Sequence, residues 1–164
     1  MTVPPISTAK YQNWETPEEA VLPLAFYLWK NDYKTIWEPA SGNGAIVHVL
    51  SKHGFNVVFS DVTSGFDFLA REPDFDFDAI VTNPPFNKRI EFLRRAYTLG
   101  KPFALLMPTI FTIQMGELFK KNGIELLVLT RRLKFVKRGE KATSAPFSAA
   151  WFCYKILPKP LIFF

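Results

Sequence analysis

Asn83-Pro84-Pro85-Phe86 lies about 45 residues after Glu38-Pro39-Ala40-Ser41-Gly42-Asn43-Gly44, and each stretch makes its own chemical demand. Pro84 restricts Asn83 to an extended backbone, and two successive prolines stiffen the loop. The Asn83 amide oxygen and the Pro84 carbonyl can then be held in one direction, two acceptors with no adjacent donor, which is a seat for an NH₂ group. An exocyclic amine on a heteroaromatic ring is a poor nucleophile because its lone pair is delocalised. Hydrogen bonds to both of its protons favour the pyramidal form, whose lone pair can attack. Held about 3–3.5 Å from the methyl of a sulfonium, it reacts by in-line displacement, with positioning and charge stabilisation supplying most of the rate. Phe86 would stack on the ring that carries the amine, and a base in a duplex would have to be flipped out at a cost of a few kcal/mol. The plainer reading is a Pro-Pro turn that ends a strand and leaves Phe86 in the core.

At Gly42 and Gly44 the backbone can take positive φ and approach a ligand with no Cβ in the way, while the helix that follows offers free N–H groups. A carboxylate-bearing ligand suits such a turn. Glu38 is a negative charge that favours an ammonium or sulfonium and repels a pyrophosphate. A dinucleotide site, which expects G-x-G-x-x-G, is disfavoured. An ordinary strand-to-helix turn is the alternative. Asp61, about 20 residues after the turn, is placed to accept from vicinal ribose hydroxyls, or else to cap a helix. Asp67-Phe68 could address an adenine ring by hydrogen bond and packing, or could be structural.

The elements that must position these residues read as alternating strands and helices. Thr16-Pro17-Glu18-Glu19 has a capping residue, proline at the first helical position and glutamate at the third, and opens a helix over 17–30. Strands are expected at 35–38, 56–61, 78–82, 102–107, 125–130 and 149–154. Further helices are expected at 45–53, 88–99 and 113–121. That alternation implies an α/β fold with a mostly parallel sheet covered on both faces, and ligands in such sheets bind outside the carboxyl ends of the strands. Gly42, Asp61 and Asn83 all sit at such ends.

With 164 residues, 48% hydrophobic and with 17 phenylalanines, one domain over 14–164 is expected, preceded by a loosely held arm over 1–13. No run approaches the ~20 apolar residues of a membrane span, and nothing at the start reads as an export signal, so no membrane partner and a cytoplasmic location are expected. Cys153 is the only cysteine. It excludes an internal disulfide and a thiolate zinc site, is best read as a small core residue, and no metal is expected. The net charge of +5 favours a polyanionic partner. Lys88 and Arg89 follow the tetrapeptide, Arg94 and Arg95 lie on the next helix, and Arg131, Arg132, Lys134, Lys137, Arg138 and Lys141 crowd one loop region. At a cleft rim they would bind phosphates; the alternative is a solvated face.

These motifs together resemble the class I S-adenosylmethionine-dependent methyltransferases, and more narrowly the small phage and prophage-type enzymes that methylate the N6 amine of adenine in DNA. The likeness spans roughly residues 14–154, and the tetrapeptide is its most specific part. It implies a Rossmann-like single domain with a seven-stranded, mostly parallel sheet, helices on both faces and a C-terminal antiparallel hairpin. It also implies S-adenosyl-L-methionine as cofactor and DNA as partner. Trp14-Glu15-Thr16-Pro17 resembles the family's N-terminal motif that holds the methionine part of the cofactor. Glu38, Pro39, Ala40, Gly42 and Gly44 resemble its cofactor loop, Asp61 its ribose-binding acid, Asp67 and Phe68 its adenine-side pair. Asn83, Pro84, Pro85 and Phe86 resemble its catalytic tetrapeptide, with Asn83 also next to the cofactor. Arg131 to Phe135 and Ser144 to Ser148 resemble a late segment that runs into the last strand hairpin. The departure is that no segment is long enough for a separate target-recognition domain. The same chemistry on RNA or on a protein glutamine, and a nucleic-acid-binding module without turnover, are the other readings.

Overall fold

Which face each strand residue buries decides the architecture. The computed structural model describes residues 15–136, 141 and 143–164; Trp14, Lys137, Arg138 and the expected arm over 1–13 lie outside them. In chain order the elements are α1 (Glu18–Lys30), β1 (Thr35–Glu38), α2 (Ala45–Lys52), β2 (Asn56–Phe59), β3 (Ala79–Thr82), α3 (Arg89–Leu99), β4 (Phe103–Pro108), α4 (Ile113–Asn122), β5 (Glu125–Val128), β6 (Lys134–Phe135), β7 (Thr143–Ser144), β8 (Ala149–Tyr154) and β9 (Leu161–Phe163). Ala104 and Leu106 of β4 join Ala149, Trp151 and Cys153 of β8 in a core with α1 and α2. Phe103, Leu105 and Met107 join Ala150 and Phe152 in a second core with α3 and α4. Strands buried on both faces read as continuous apolar runs, as β4 and β8 do.

The sheet has seven strands in the order β2-β1-β3-β4-β8-β5-β9. β2, β1, β3 and β4 pair in parallel, and β8 inserts antiparallel between β4 and β5. The fold is the expected single-domain α/β arrangement with helices on both faces. Two pieces were not anticipated. A two-stranded ribbon of β6 and β7 stands outside the main sheet. The tail at 161–164 is a parallel edge strand on β5, extended by the Phe164 N–H donating to the Val128 carbonyl at 2.9 Å.

The start of α1 departs from expectation. Pro17 takes the cap position and no side chain caps the helix. The Ala20 N–H donates to the Pro17 carbonyl at 3.0 Å, Glu18 and Glu19 supply the charge match, and the Thr16 hydroxyl is engaged elsewhere. β2 also ends early, at Phe59. Pairing continues irregularly, Ser60 N–H to the Glu38 carbonyl at 2.9 Å and Ser41 N–H to the Ser60 carbonyl at 3.1 Å, and this delivers Asp61 to the glycine turn.

After β8 the chain turns through Lys155 at φ 57. The Glu125 carboxylate of β5 holds that turn by accepting from the N–H groups of Lys155, Ile156 and Leu157 at 3.0, 2.9 and 2.7 Å. Removing it strands three amides of a turn whose carbonyls alone stay held, by the Tyr33 hydroxyl on Lys155 at 2.7 Å and by Asn31 Nδ2 on Ile156 at 2.8 Å. Glu125→Ala is expected to lower stability by about 2 kcal/mol, read as a shift of the urea midpoint; an unchanged midpoint would show the turn to be held by its other contacts.

Candidate active site

The carboxyl ends of β1, β2 and β3 open into one cleft of about 560 Å³, a volume of the size that holds a small-molecule ligand. Thr16, Glu38, Pro39, Ala40, Gly42, Asp61, Asp67, Phe68, Asn83, Pro84, Pro85 and Lys88 line it, so most of the motif residues converge. Gly44, at φ 80, takes the cap position of α2. Its N–H closes the turn on the Ser41 carbonyl at 2.7 Å, and Gly42 has φ 50. A Cβ at either glycine would meet no atom within 4 Å. The glycines are therefore needed for the left-handed backbone, not for want of room.

Glu38 differs from the fixed negative charge expected of it. The residue is 1% exposed, and its Oε1 accepts from the Ala40 N–H at 3.0 Å. Burial pushes its pKa up to about 8, against the pull of the Thr82 hydroxyl and the Ala40 N–H and helped by the nearby negative Asp61. At neutral pH that shift leaves the group mostly the neutral acid.

Asp61 is the opposite case. Burial raises its pKa, but hydrogen bonds from Thr63 and from the Gly42 N–H outweigh burial and hold the carboxyl below its ordinary range. Oδ1 accepts from the Thr63 N–H at 2.9 Å and its hydroxyl at 2.7 Å, and Oδ2 from the Gly42 N–H at 2.9 Å. Asp61 thus caps a 3₁₀ turn (Val62–Ser64) and fastens the glycine turn, with capacity left on Oδ2 for one more donor. Both expectations for this residue, cap and cleft acceptor, are compatible with its geometry.

In the next segment Asp67 Oδ1 accepts from the Leu69 N–H at 2.9 Å. Phe68 does not offer a free ring face. It is 2% exposed, and its ring lies 5.3 Å from that of Trp37 and 4.8 Å from that of Phe92. The pattern Phe66-Asp67-Phe68 and Phe75-Asp76-Phe77 drives alternate rings onto Trp37. The apolar wall of the cleft comes from residues not singled out by sequence, chiefly Val62, which is 65% exposed, and Phe66 and Leu69.

The tetrapeptide closes the other end. Asn83 Nδ2 donates to Thr16 Oγ1 at 3.1 Å, leaving Oδ1 as its acceptor. The Pro85 carbonyl is taken by the Lys88 N–H at 2.9 Å, so the Pro84 carbonyl is the acceptor that remains beside Asn83. Phe86 is not in the cleft. Its ring is 4% exposed and meets Phe147 edge-on at 5.4 Å, the arrangement of a core aromatic, so stacking on a ligand requires it to leave that partner.

The motif residues Glu15 and Thr16 make contacts that the sequence did not suggest. The Glu15 N–H donates to the Val136 carbonyl at 2.9 Å, and Glu15 Oε1 accepts from Asn43 Nδ2 at 3.0 Å. A two-residue strap, Glu15 and Thr16, thereby ties together the glycine turn, the tetrapeptide and the end of β6. Only pairing over long sequence separations creates it.

The basic residues divide. Lys88 lines the cleft. Arg131 and Arg132 are exposed beyond the carboxyl end of β5, which runs parallel to β4, and so lie on the cleft side of the sheet. Lys134 on β6 and Lys141 are also exposed. Arg89 and Arg95 make contacts within the fold. Arg89 Nη1 donates to the Phe86 carbonyl at 2.9 Å. Arg95 binds the Phe68 and Arg71 carbonyls at 3.2 and 3.1 Å and pairs with Glu72 at 2.8 Å. Cys153 is buried, and burial raises its thiol well above the usual range. Among the described residues no cluster of His, Cys, Asp or Glu is built to hold a metal, and no helix is long and apolar enough to cross a membrane.

No protein-family model and no curated protein sequence matches this chain. Solved structures do match its fold. The methyltransferase subunit of a type I restriction-modification system from Streptococcus thermophilus superposes with a TM-score of 0.63 at 13% identity, over 92% of this chain and 47% of that one, so the chain spans about half its length. A putative RNA methyltransferase from Pyrococcus horikoshii gives 0.53 at 17% identity over 88% and 86% of the two chains. Magnesium protoporphyrin IX methyltransferase from Synechocystis, solved with S-adenosylmethionine bound, gives 0.54 at 12% identity over 83% and 78%. At these identities the likeness establishes the fold alone, a Rossmann-like α/β arrangement that these methyltransferases share.

Proposed function

We propose that this chain binds S-adenosyl-L-methionine in the cleft and transfers its methyl group to the exocyclic N6 amine of adenine in DNA. The observation that carries the reading is Asn83: its amide nitrogen is engaged by Thr16 at 3.1 Å while the side chain lines the cleft, so its oxygen is the end left for an amine.

The donor set fits the cofactor. The left-handed glycine turn at the start of α2 suits a carboxylate, Glu38 suits an ammonium or sulfonium, and Asp61 Oδ2 has room for a ribose hydroxyl. Val62, Phe66 and Leu69 offer an apolar bed for a purine, with Asp67 as a polar neighbour. When bound there, the cofactor supplies an electrophilic methyl carbon. The protein holds the amine. Asn83 Oδ1 and the Pro84 carbonyl accept its two protons, turn its lone pair out of conjugation and keep it in line. Lys88 beside the cleft and Arg131 and Arg132 on the same side favour a polyanion, with the salt dependence that phosphate contacts bring. The restriction-modification neighbour is consistent with a nucleic-acid substrate.

The test is to incubate the protein with labelled S-adenosylmethionine and DNA and to identify the labelled nucleoside by mass spectrometry. N6-methyladenine is the expected product. Label confined to RNA or protein, or none above a control without protein, overturns the reading.

A further inference from the structure

We propose that Thr16 is a positioning residue for the Asn83 carboxamide, and that its hydroxyl couples the occupied cofactor cleft to the direction in which that carboxamide points. The inference rests on the proposed function for what Asn83 does, but not for the contact itself.

The two ends of a carboxamide have nearly the same shape, so packing does not decide between Oδ1 and Nδ2; hydrogen-bond partners do. The choice is decisive for an amine acceptor. With Oδ1 in the cleft, Asn83 accepts from the incoming NH₂; turned over, it sets two donors against two donors. Thr16 is the partner through which the choice is made. It is 5% exposed, lines the same cleft, and its Oγ1 accepts from Asn83 Nδ2 at 3.1 Å across 67 residues of sequence. Its place is held by neighbours independent of Asn83, namely Pro17 at the start of α1 and the Glu15 N–H on Val136 at 2.9 Å.

A hydroxyl has one proton and two lone pairs. Thr16 could therefore accept from Nδ2 or, with its proton, donate to Oδ1, and alone it would hold the amide either way round. What removes the ambiguity is an acceptor for the proton on the cleft side. A carboxylate lodged in the cleft within reach of Oγ1, such as the one at the amino-acid end of the cofactor, would take the proton and leave only lone pairs for Asn83. Nδ2 must then face Thr16 and Oδ1 the target. Loading the cleft thus sets the seat for the amine, which favours cofactor binding before target.

The experiment uses the full chain with Thr16→Val, which keeps the shape and deletes the hydroxyl, and Thr16→Ser, which keeps the hydroxyl. At saturating cofactor, Thr16→Val is expected to lower kcat for DNA methylation by about 10- to 100-fold, and Thr16→Ser to restore most of it. The side-chain amide resonance of Asn83, assigned by its loss in Asn83→Asp, is expected to shift on adding S-adenosylhomocysteine in the wild type and in Thr16→Ser. In Thr16→Val with S-adenosylhomocysteine bound, as checked by calorimetry, that shift is expected to be absent. A wild-type kcat in Thr16→Val, or Thr16→Ser as impaired as Thr16→Val, overturns the proposal. So does an Asn83 resonance that responds equally in all three. If the wild type places no methyl group in DNA, the proposed function fails on that result, and the resonance still decides for or against Thr16.

Discussion

Asn83→Ala is expected to lower kcat for methyl transfer by about 10²- to 10³-fold while leaving the affinity for S-adenosylhomocysteine close to that of the wild type. The two halves of the expectation come from different parts of the cleft. On the proposed reading the cofactor meets the turn at Gly42 and Gly44, Glu38 and Asp61, and none of them depends on the Asn83 side chain for its place. The amine, in contrast, has two acceptors, and truncation removes one, leaving the Pro84 carbonyl alone to pyramidalise the nitrogen. Asn83→Asp separates the acceptor from its orientation. Both ends of a carboxylate accept, so that variant retains more activity than the alanine and is insensitive to Thr16→Val, whereas in the asparagine enzyme Thr16→Val is damaging. A double-mutant cycle over positions 16 and 83 reads this as a coupling. Equal loss of cofactor affinity in Asn83→Ala would move the residue from the amine seat to the cofactor site, and unchanged turnover would remove it from the chemistry.

What could be read along the chain, and what could not, follows from the range of the interactions involved. The core strands and the four α-helices of the described residues were legible because a periodic apolar pattern and its Gly and Pro stops are local signals. β6, β7 and β9 have two or three residues each, too short to carry a period, and they exist only because distant partners lie alongside. The helix-cap reading of Thr16 failed for the same reason: Thr-Pro-Glu-Glu has the right residues, but a half-buried amide 67 positions away competes for the hydroxyl. Phe68 and Phe86 show the limit for site residues. Sequence places both beside the cleft, and the backbone does so, yet Trp37 claims one ring and Phe147 receives the other. Arg95 was grouped with the phosphate-binding residues on charge alone, whereas two backbone carbonyls use it to anchor the segment that carries Asp67. Glu38 was recognised by type and place, but its charge state depends on a burial that no local pattern encodes.

That charge state leads to the second large effect. With its pKa pushed up to about 8 by burial, against an ordinary value of 4.5, the folded protein holds a proton on Glu38 that the unfolded chain releases. Between those values the native state binds one more proton than the unfolded state, so stability falls as pH rises through the window, by at most about 1.4 kcal/mol per pH unit. Below 4.5 both states are protonated and the slope vanishes; above about 8 both are ionised and the penalty stays constant. Glu38→Gln keeps an oxygen for the Ala40 N–H and removes the titration. It is expected to match the wild type near pH 4.5 and to exceed it clearly at pH 8.5 in urea denaturation, a stabilisation larger than most surface changes produce. The same substitution is expected to damage function, because a cation in the cleft is attracted to the carboxylate and not to the neutral acid. In the wild type, S-adenosylmethionine affinity should therefore rise from pH 6 to about 8, with proton release on binding measurable by calorimetry in two buffers of different ionisation enthalpy. In Glu38→Gln the affinity should be lower and flat with pH. A wild-type affinity independent of pH across that range, with no proton released, would show that the cofactor's positive groups do not reach Glu38. If the wild type and Glu38→Gln behave as expected, this fold holds a destabilising buried acid for the cation it receives, the usual opposition between stability and function in a binding site.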